Sequence, residues 1–225
     1  MAVGAPTLHI DEQGAYVDGV YTTAAFTPTG GSNSVIYICQ IVENIAFTGG
    51  GVASMSTDGT ATDISENMSA FSSRGLTLHR IKEPTASSQT ANVERGDAIG
   101  TNELRVIVIE LAGVDQTTPE DTPLIPDGDD ASDISTDVNS PTGDRVLAFL
   151  VTSESAVIEN TEIGSQVQLA ATGVWGAAQH VAGAGASTSC DFTSISGQSA
   201  AILINVNASG GGGSVLPIIY QTMVA

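Results

Sequence analysis

The sequence has few positively charged residues and few aromatic ones. Its 225 residues include six Lys and Arg against 25 Asp and Glu, a formal net charge of −19. Proteins bind nucleic-acid phosphates through clustered Lys and Arg, whereas the six cationic residues here are scattered and none follows Arg145. We therefore expect no direct contact with nucleic acid. A protein that faces outward from a DNA-filled shell tolerates such acidity, and net charge also favours solubility.

Cysteine is also rare, and no apolar run approaches the length that crosses a membrane. Cys39 and Cys190 lie far apart in strand-like segments, and their spacing does not suggest metal ligation. We predict buried free thiols rather than a disulfide, and the sequence leaves open whether the two sulfurs meet. Residues 1–6 lack the basic region and apolar core of a signal peptide. We expect synthesis in the cytoplasm and no membrane partner.

The sequence also lacks the long runs of Leu, Glu, Lys and Arg that build helices. β-Branched and aromatic residues instead recur in short stretches separated by Gly- and Pro-containing turns. This pattern predicts an all-β protein with little helix, an antiparallel, jelly-roll-like β-sandwich of about eleven strands. The predicted strands are residues 20–27, 34–43, 51–56, 75–81, 89–94, 103–112, 145–152, 165–171, 184–192, 200–206 and 214–222.

Three of these strands carry nearly continuous apolar runs, at residues 105–111, 146–151 and 201–206. Such runs are expected of central strands, so we predict that they anchor the core. Two polar stretches are predicted to be exposed loops. Residues 57–73 include a short helical turn capped by Asp63, and residues 115–144 form an acidic segment without Lys or Arg.

Closely spaced carboxylates in the acidic segment are the strongest metal-like feature of the sequence. Asp127, Asp129, Asp130 and Asp133 lie around a glycine and could supply the oxygen ligands that Ca²⁺ prefers. The twelve-residue calcium loop with its closing Glu is missing, however. We interpret the segment as a solvated acidic loop, keep calcium as the alternative, and expect no cofactor.

The three histidines, His9, His79 and His180, form no zinc-binding pattern. A Ser/His/Asp triad assembles only in space, and Ser and Asp are too common here for their presence to be informative. His79 and His180 lie within or beside strand-like segments and are interpreted as strand histidines. Because no activated nucleophile or paired acid and base can be identified, we do not expect an enzyme.

One segment resembles a known protein family. Residues 104–119 read LRVIVIELAGVDQTTP, which resembles a signature of β-sandwich modules in which a core strand ends in a G-V-D-Q-T-T-P turn. A looser resemblance extends through residues 141–149 and 200–206. Such modules recur in phage particle proteins and in large extracellular bacterial proteins. In the turn, Gly113 permits an unusual backbone angle, and Asp115 can accept hydrogen bonds from nearby backbone amides. Pro119 has no N–H group and so prevents strand pairing from continuing.

The resemblance implies a carrier fold rather than catalysis. We predict a β-sandwich domain at residues 34–208, an N-terminal arm or edge segment at residues 1–33, and a C-terminal strand or contact segment at residues 209–225. The expected function is that of a virion structural protein, a bacteriophage capsid decoration (cement) protein. It would self-associate, as a homotrimer, and bind the major capsid protein on the outer capsid surface. The alternative is an adhesion or carbohydrate-binding module of a phage tail or bacterial surface, which would bind a host-surface glycan through a loop cluster at one end of the sandwich. Trp175, the only tryptophan, is more often a core residue than a sugar platform, and loss of glycan binding in Trp175→Ala would favour this alternative.

Overall fold

The computed structural model is all-β. It describes residues 1–17, 19–43, 51–68, 74–95, 103–128, 134, 136–152, 167–173, 176–190, 192 and 199–210. Within those residues it has sixteen strands and no helix. The strands are β1 (Thr7–Ala15), β2 (Val20–Thr22), β3 (Ser34–Glu43), β4 (Val52–Met55), β5 (Gly59–Thr60), β6 (Thr62–Met68), β7 (Arg74–Lys82), β8 (Ala91–Glu94), β9 (Glu103–Ala112), β10 (Asp127–Gly128), β11 (Asp137–Ser140), β12 (Arg145–Thr152), β13 (Val167–Gly173), β14 (Gly176–Ala182), β15 (Gly185–Ser189) and β16 (Ser199–Val206).

These strands form four antiparallel sheets. The first inner sheet has the order β1-β9-β3-β7-β6, and the second inner sheet has the order β10-β16-β12-β14-β13. The first outer sheet has the order β2-β8-β4-β5, and the second outer sheet consists of β11 and β15. The predicted class, an antiparallel all-β sandwich, is therefore confirmed, with two additional sheets flanking the sandwich. The predicted number of about eleven strands is too low, since the described residues alone contain sixteen.

Three hydrophobic cores separate the four sheets into layers. The central core lies between the two inner sheets and contains Ile107 and Phe149. A first outer core packs the opposite face of the first inner sheet, including Val108, against Val93 of β8. A second outer core packs the opposite face of the second inner sheet against Val138 of β11. Each inner sheet is thus covered on both faces.

This layering explains the continuous apolar runs. Successive side chains of a strand point to opposite faces, so a strand covered on one face alternates between apolar and polar residues. In β9, Ile107 and Ile109 face the central core, whereas Val106 and Val108 face the first outer core, and all four are fully buried. Burying one such side chain contributes about 1.5–3 kcal/mol. The prediction that these runs form central strands is confirmed.

The predicted loop with a helical turn at residues 57–73 is wrong for its described part. Thr62–Met68 is strand β6, which pairs with β7 at the edge of the first inner sheet, and β5 precedes it. Asp63 does not cap a helix, because it lies in β6 opposite His79. Pairing supplies partners for the backbone groups of β7, which outweighs the weak helical signal of this polar segment.

The prediction of a long exposed loop at residues 115–144 is confirmed only in part for the residues that the structure describes: residues 121, 122, 124 and 125 are exposed, but several parts of the segment pair with strands. Glu120 and Leu124 form bridges with Val206 and Leu203, and β10 continues this pairing along β16. Further on, β11 pairs with β15. On the edge of β16 that faces away from β12, the backbone donors and acceptors need partners, and residues 113–128 supply them. We refer to residues 113–128 as the strap.

The sequence predicted the long strands better than the short ones. Residues 34–43, 103–112 and 145–152 match β3, β9 and β12 at both ends. The predicted strand at 20–27 is reduced to β2 and a single bridge at Phe26, and β1 and β14 were missed. In β1, an edge strand, only Ile10 is buried, so its apolar pattern is weak. The predicted strand at 214–222 lies outside the described residues.

The two cysteines form no disulfide and are buried in different cores. Cys39 lies in the central core and Cys190 lies in the second outer core, on the other side of the second inner sheet. The prediction of buried free thiols is confirmed, and the question of whether the two sulfurs meet is answered. Burial raises the pKa of Cys39 far above the usual range of a thiol.

We expect both thiols to react with a disulfide reagent only after unfolding. Labelling of the folded protein at pH 8 should be at least ~100-fold slower than labelling in denaturant, because each sulfur is exposed only by opening of a core. The release of thiolate from the reagent measures the rate, and the variants Cys39→Ala and Cys190→Ala assign it to one sulfur. Rapid labelling of either thiol under native conditions would contradict this packing.

Candidate functional site

Four chain segments meet at one end of the sandwich, and three of them overlap the segments that resemble the module family. Val3 N donates to Gly143 O at 2.8 Å, and Ser209 N donates to Gly113 O at 2.7 Å. The amine of Met1 donates to Ser209 O, so residue 1 lies beside residue 209. We call this region the terminal pole; it comprises residues 1–4, 113–121, 141–144 and 205–210.

The turn at residues 113–119 has the geometry that its residues predict. Gly113 has a φ of +79°, in the region that favours glycine. The Asp115 carboxylate accepts hydrogen bonds from Thr117 N at 2.7 Å and from Thr118 N at 2.9 Å through the same oxygen, Oδ1. Asp115 thereby closes the turn, as aspartate commonly does through its own side chain. The motif carries the chain from β9 into the strap.

Beside this turn lies a group of side-chain oxygens around one buried amide. Asn205 Nδ2 lies 3.1 Å from Asp121 Oδ2 and 3.2 Å from Asp144 Oδ2. The same nitrogen lies 2.9 Å from Asn207 Oδ1. Asn207 Nδ2 in turn donates to Asp121 Oδ1 at 3.1 Å and to Thr118 O at 2.9 Å. We call Asp121, Asp144, Asn205 and Asn207 the oxygen cluster.

The burial of the oxygen cluster decreases from its floor to its rim. Asn205 is 2% exposed, and its Oδ1 has no hydrogen-bond partner in the part of the chain that the structure describes. Asp144 and Asn207 are half-buried, and Asp121 is exposed. Asp144 Oδ1 also accepts a hydrogen bond from Ala208 N at 2.8 Å. The cluster is therefore open to solvent on the strap side.

Sequence reasoning missed the oxygen cluster because its members come from three separate segments. Asn205 is 84 residues from Asp121 and 61 residues from Asp144. One local signal was available. Asn205 and Asn207 flank Val206 at the end of β16, and residues two apart on an extended strand point to the same face. An Asn pair on one face after an apolar strand indicates a polar site, but not its other members.

A partly buried ion pair attaches the strap to the first inner sheet. Arg80 pairs with the carboxylate of Glu120, and Tyr37 OH donates to Glu120 Oε2 at 3.0 Å. Burial raises the pKa of Glu120, although Arg80 and Tyr37 partly offset the effect. Burial, and then the negative charge of Glu120, raise the pKa of Tyr37 well above its usual range. Because both groups are engaged with each other and with Arg80, the arrangement connects strap and sheet.

The three histidines lie in three different environments. His9 Nε2 contacts Glu110 Oε2 at 2.8 Å, and this buried carboxylate also accepts the backbone N–H groups of Thr29 and Gly30 at 2.8 Å each. His79 lies in β7, with Nδ1 2.5 Å from Asp63 Oδ1. Burial lowers the pKa of His79, although Asp63 partly offsets this effect.

His180 lies in β14 beside Arg145. Arg145 Nη1 lies 2.7 Å from His180 Nδ1, so this ring nitrogen accepts and Nε2 carries the proton. Burial, and then the charge of Arg145, lower the pKa of His180 to about 4. The interpretation of His79 and His180 as strand histidines is confirmed. The three rings lie on β1, β7 and β14, which belong to two sheets.

The predicted calcium ligands fall mainly outside the described residues. Asp127 begins β10, but its side chain is not described, and Asp129, Asp130 and Asp133 lie outside the described residues, as does Trp175. In the described ranges there is no group of three or more His, Cys, Asp or Glu residues that could hold a metal ion. The described residues also contain no helix that could cross a membrane.

Comparison of the chain with protein-family models, with curated proteins and with solved structures finds no match. The resemblance of the turn at residues 113–119 to a module family therefore stays a prediction.

Gly59 and Gly113 allow the effect of a positive φ on stability to be distinguished from the effect of a close contact at the terminal pole. Gly59 and Gly113 both have a φ of +79°. A Cβ at Gly59 would meet no atom within 4 Å, whereas a Cβ at Gly113 would overlap the carbonyl oxygen of Ala2. We expect Gly59→Ala to lower the free energy of unfolding by about 1–2 kcal/mol. Gly113→Ala should lower it by about 2–4 kcal/mol, measured by urea denaturation. Equal losses in the two variants would show that residue 2 does not pack there.

Stability should fall on acidification because of His180. Its folded pKa is about 4, and its unfolded pKa is about 6.5, so between these values the unfolded chain binds a proton that the folded chain does not. The stabilisation is complete above pH 6.5 and is lost as the pH falls towards 4.

Between pH 7 and pH 5 the free energy of unfolding should fall less in His180→Gln than in the unsubstituted protein, by about 1 kcal/mol. This value is smaller than the full pKa difference would give, because β14 lies next to the edge strand of its sheet and solvent screens part of the interaction. Urea denaturation at both pH values measures the difference, and the carboxylates titrate equally in both proteins. An identical pH dependence in the variant would contradict the lowered pKa.

Proposed function

We propose that this chain is a virion structural protein, a bacteriophage capsid decoration protein that self-associates and binds the major capsid protein on the outer capsid surface. The observation that carries the proposal is the distribution of charge in the folded chain. Arg95 and Arg105 are buried, at 3% and 2% exposure. Arg80 is engaged with Glu120, and Arg145 is engaged with His180. Four of the six cationic side chains are thus buried or bound to other residues of the same chain.

Among the Asp and Glu side chains that the structure describes, Glu110 is the only buried one. Residues 115–144 contain nine Asp and Glu and no Lys or Arg, and the described part of this segment runs along the second inner sheet. A surface of this kind repels nucleic acid and resists non-specific association. Both properties suit a protein added to the outside of a DNA-filled shell.

The architecture also favours a structural role. The buried ionisable groups serve as connections between layers. Arg105 forms a bidentate ion pair with Asp11 at 2.7 and 2.9 Å and also donates to Gly176 O in the opposite inner sheet. A buried charge is tolerated only when it is paired in this way. These contacts fix the relative positions of the layers and leave no spare acid and base at this position.

Self-association is proposed through edge-strand pairing. Strand β1 forms one edge of the first inner sheet, and Leu8 on this strand is 37% exposed. An edge strand offers unpaired backbone groups to a second chain, and an exposed apolar residue adds contact area. Nine residues make β1 long enough for stable pairing.

The first experiment is light scattering on the purified protein, followed by sedimentation with phage heads that lack it. We expect an oligomer, a trimer in the simplest case, which coats the heads until its sites are filled. Heads that already carry the protein are the control and should bind none. A monomer that does not bind heads would contradict the proposal, and glycan binding lost in Trp175→Ala would favour the adhesion module.

A pair of lysine substitutions tests the edge-strand contact. Leu8→Lys places a charge on an edge strand and should weaken self-association at least ~10-fold, since charged residues block edge pairing. Val52→Lys is the control for a surface lysine away from β1, because Val52 is 48% exposed and lies in β4 of the first outer sheet. Concentration-dependent light scattering gives the dissociation constant. Equal effects of the two substitutions would place the contact elsewhere.

A further inference from the structure

Three buried polar side chains of the first inner sheet carry atoms that have no hydrogen-bond partner in the described chain. Gln40 of β3 and Thr77 and His79 of β7 are 0%, 1% and 0% exposed. The atoms without a partner include Gln40 Oε1, Thr77 Oγ1 and His79 Nε2. A buried polar atom without a partner costs free energy and is rare in native proteins. Three of them in adjacent strands therefore indicate an interaction beyond packing.

The strand register places the three side chains together on the face that packs against the first outer sheet. Ile38 and Ile81 lie in the first outer core, so Gln40, Thr77 and His79, each an even number of residues away on the same strands, share that face. Gln40 and Thr77 are direct partners in the antiparallel pairing of β3 with β7. The Cβ atoms of such partners lie about 4.5–5.5 Å apart. The side chains of Gln40 and Thr77 are therefore neighbours.

His79 is placed to accept a proton at Nε2. Its Nδ1 lies 2.5 Å from Asp63 Oδ1, although the two atoms are not aligned as a hydrogen bond. The nearby carboxylate favours the tautomer that carries the proton on Nδ1, which leaves the lone pair on Nε2. Because burial lowers the pKa of His79, the ring is neutral at pH 7. Thr77, His79 and Asp63 thus supply the nucleophile, base and orienting group of an acyl transfer.

The carboxamide of Gln40, the group that could be acylated onto Thr77, is held from two sides. Its Nε2 donates to Tyr16 OH. A Cβ at Gly51 would overlap Gln40 Oε1, so the backbone of residue 51 packs directly against the amide. Tyr16 and Gly51 are themselves buried. These contacts restrict the orientation of the amide, and burial excludes the water that would compete with Thr77 as nucleophile.

We propose that Thr77 and Gln40 form an intramolecular ester cross-link between β7 and β3. Thr77 Oγ1 attacks the Cδ atom of Gln40 while the hydroxyl proton moves to His79 Nε2. The tetrahedral intermediate then expels the amide nitrogen, which takes that proton and leaves as ammonia. One C–O bond replaces one C–N bond, and no oxidant or second reactant is required. The ester places Oγ1, Cδ and Cγ between the two Cβ atoms, which fits the separation of directly paired residues.

The cross-link is independent of the decoration role, since it forms within one chain. It would join two neighbouring strands of the first inner sheet beneath the first outer sheet. Asp63 acts as a positioning residue through His79 and does not touch the reacting atoms.

The test is mass spectrometry of the intact purified chain after prolonged incubation at pH 8. We expect a mass that is lower by one ammonia than the mass of the sequence. Cleavage after Lys and Arg should yield no free peptide Gly75–Arg80, because Thr77 joins it to the peptide that contains Gln40. Mild alkaline hydrolysis should release Gly75–Arg80 and convert the Gln40 side chain to a carboxylate, because water then attacks the ester carbonyl.

Variants of Thr77 identify the nucleophile. Thr77→Val keeps the branched shape but has no hydroxyl, so it should retain the ammonia and lower the Tm by at least ~5 °C, since a cross-link restricts the unfolded chain. Thr77→Ser keeps a hydroxyl and should still form the link. Thr152→Val is the matched control, because Thr152 is buried at 1% exposure in the second inner sheet, and it should lose ammonia fully.

The role of His79 is measured by the rate of ammonia loss during cell-free synthesis. His79→Gln should slow this loss at least ~100-fold, as removal of a general base does. A full-mass chain with free Gly75–Arg80 would overturn the proposal and would indicate that ordered water pairs the three atoms. Loss of ammonia that persists in Thr77→Val would also overturn it, since the reaction would then lie at another side chain.

Discussion

Burial of apolar side chains on both faces of the two inner sheets is the constraint on which the rest of the structure depends. A sandwich normally buries one face of each sheet and exposes the other. Here β9, β12 and β16 are apolar on both faces, so each inner sheet requires a cover on its outer side. The two outer sheets meet this requirement, and the four-layer order follows from it.

A core of this kind leaves few places for charged groups, and those inside it are paired. Arg105 connects Asp11 on β1 with the backbone of β14 across the central core. Glu110 accepts two backbone N–H groups and contacts His9. Such groups set the positions of layers and loops more than they add to stability, since an ion pair in the interior recovers little more than the cost of removing its charges from water.

At the terminal pole, the central core meets the N-terminal residues, the turn at residues 113–119 and the end of β16. Val3, Val114 and Ala208 close the central core at this end, so the pole is packed as well as hydrogen-bonded. The turn at residues 113–119 directs the strap along β16, and that path brings Asp121 to Asn205. A local turn motif therefore has a long-range consequence, the assembly of an oxygen-rich site on the surface of an acidic protein.

Several features of the fold could be predicted because they depend on local chemistry. The apolar runs identified the central strands, and the residue types at Gly113 and Asp115 predicted the turn that they form. The edge strand β1 and the strap could not be predicted in the same way. Their residues are largely polar, and they become strands because a neighbouring edge offers unpaired backbone groups, which is a property of the neighbour.

By itself, then, the sequence determined the all-β class, the central strands, the acidic exterior and the turn after β9, since each depends on residue type and on spacing of a few residues. Only the tertiary structure decided the four layers, the separation of Cys39 from Cys190, and the oxygen cluster. These depend on contacts between residues as far as 84 apart in the chain. Such contacts are set by which sheet edges and faces remain to be covered once the central strands have paired.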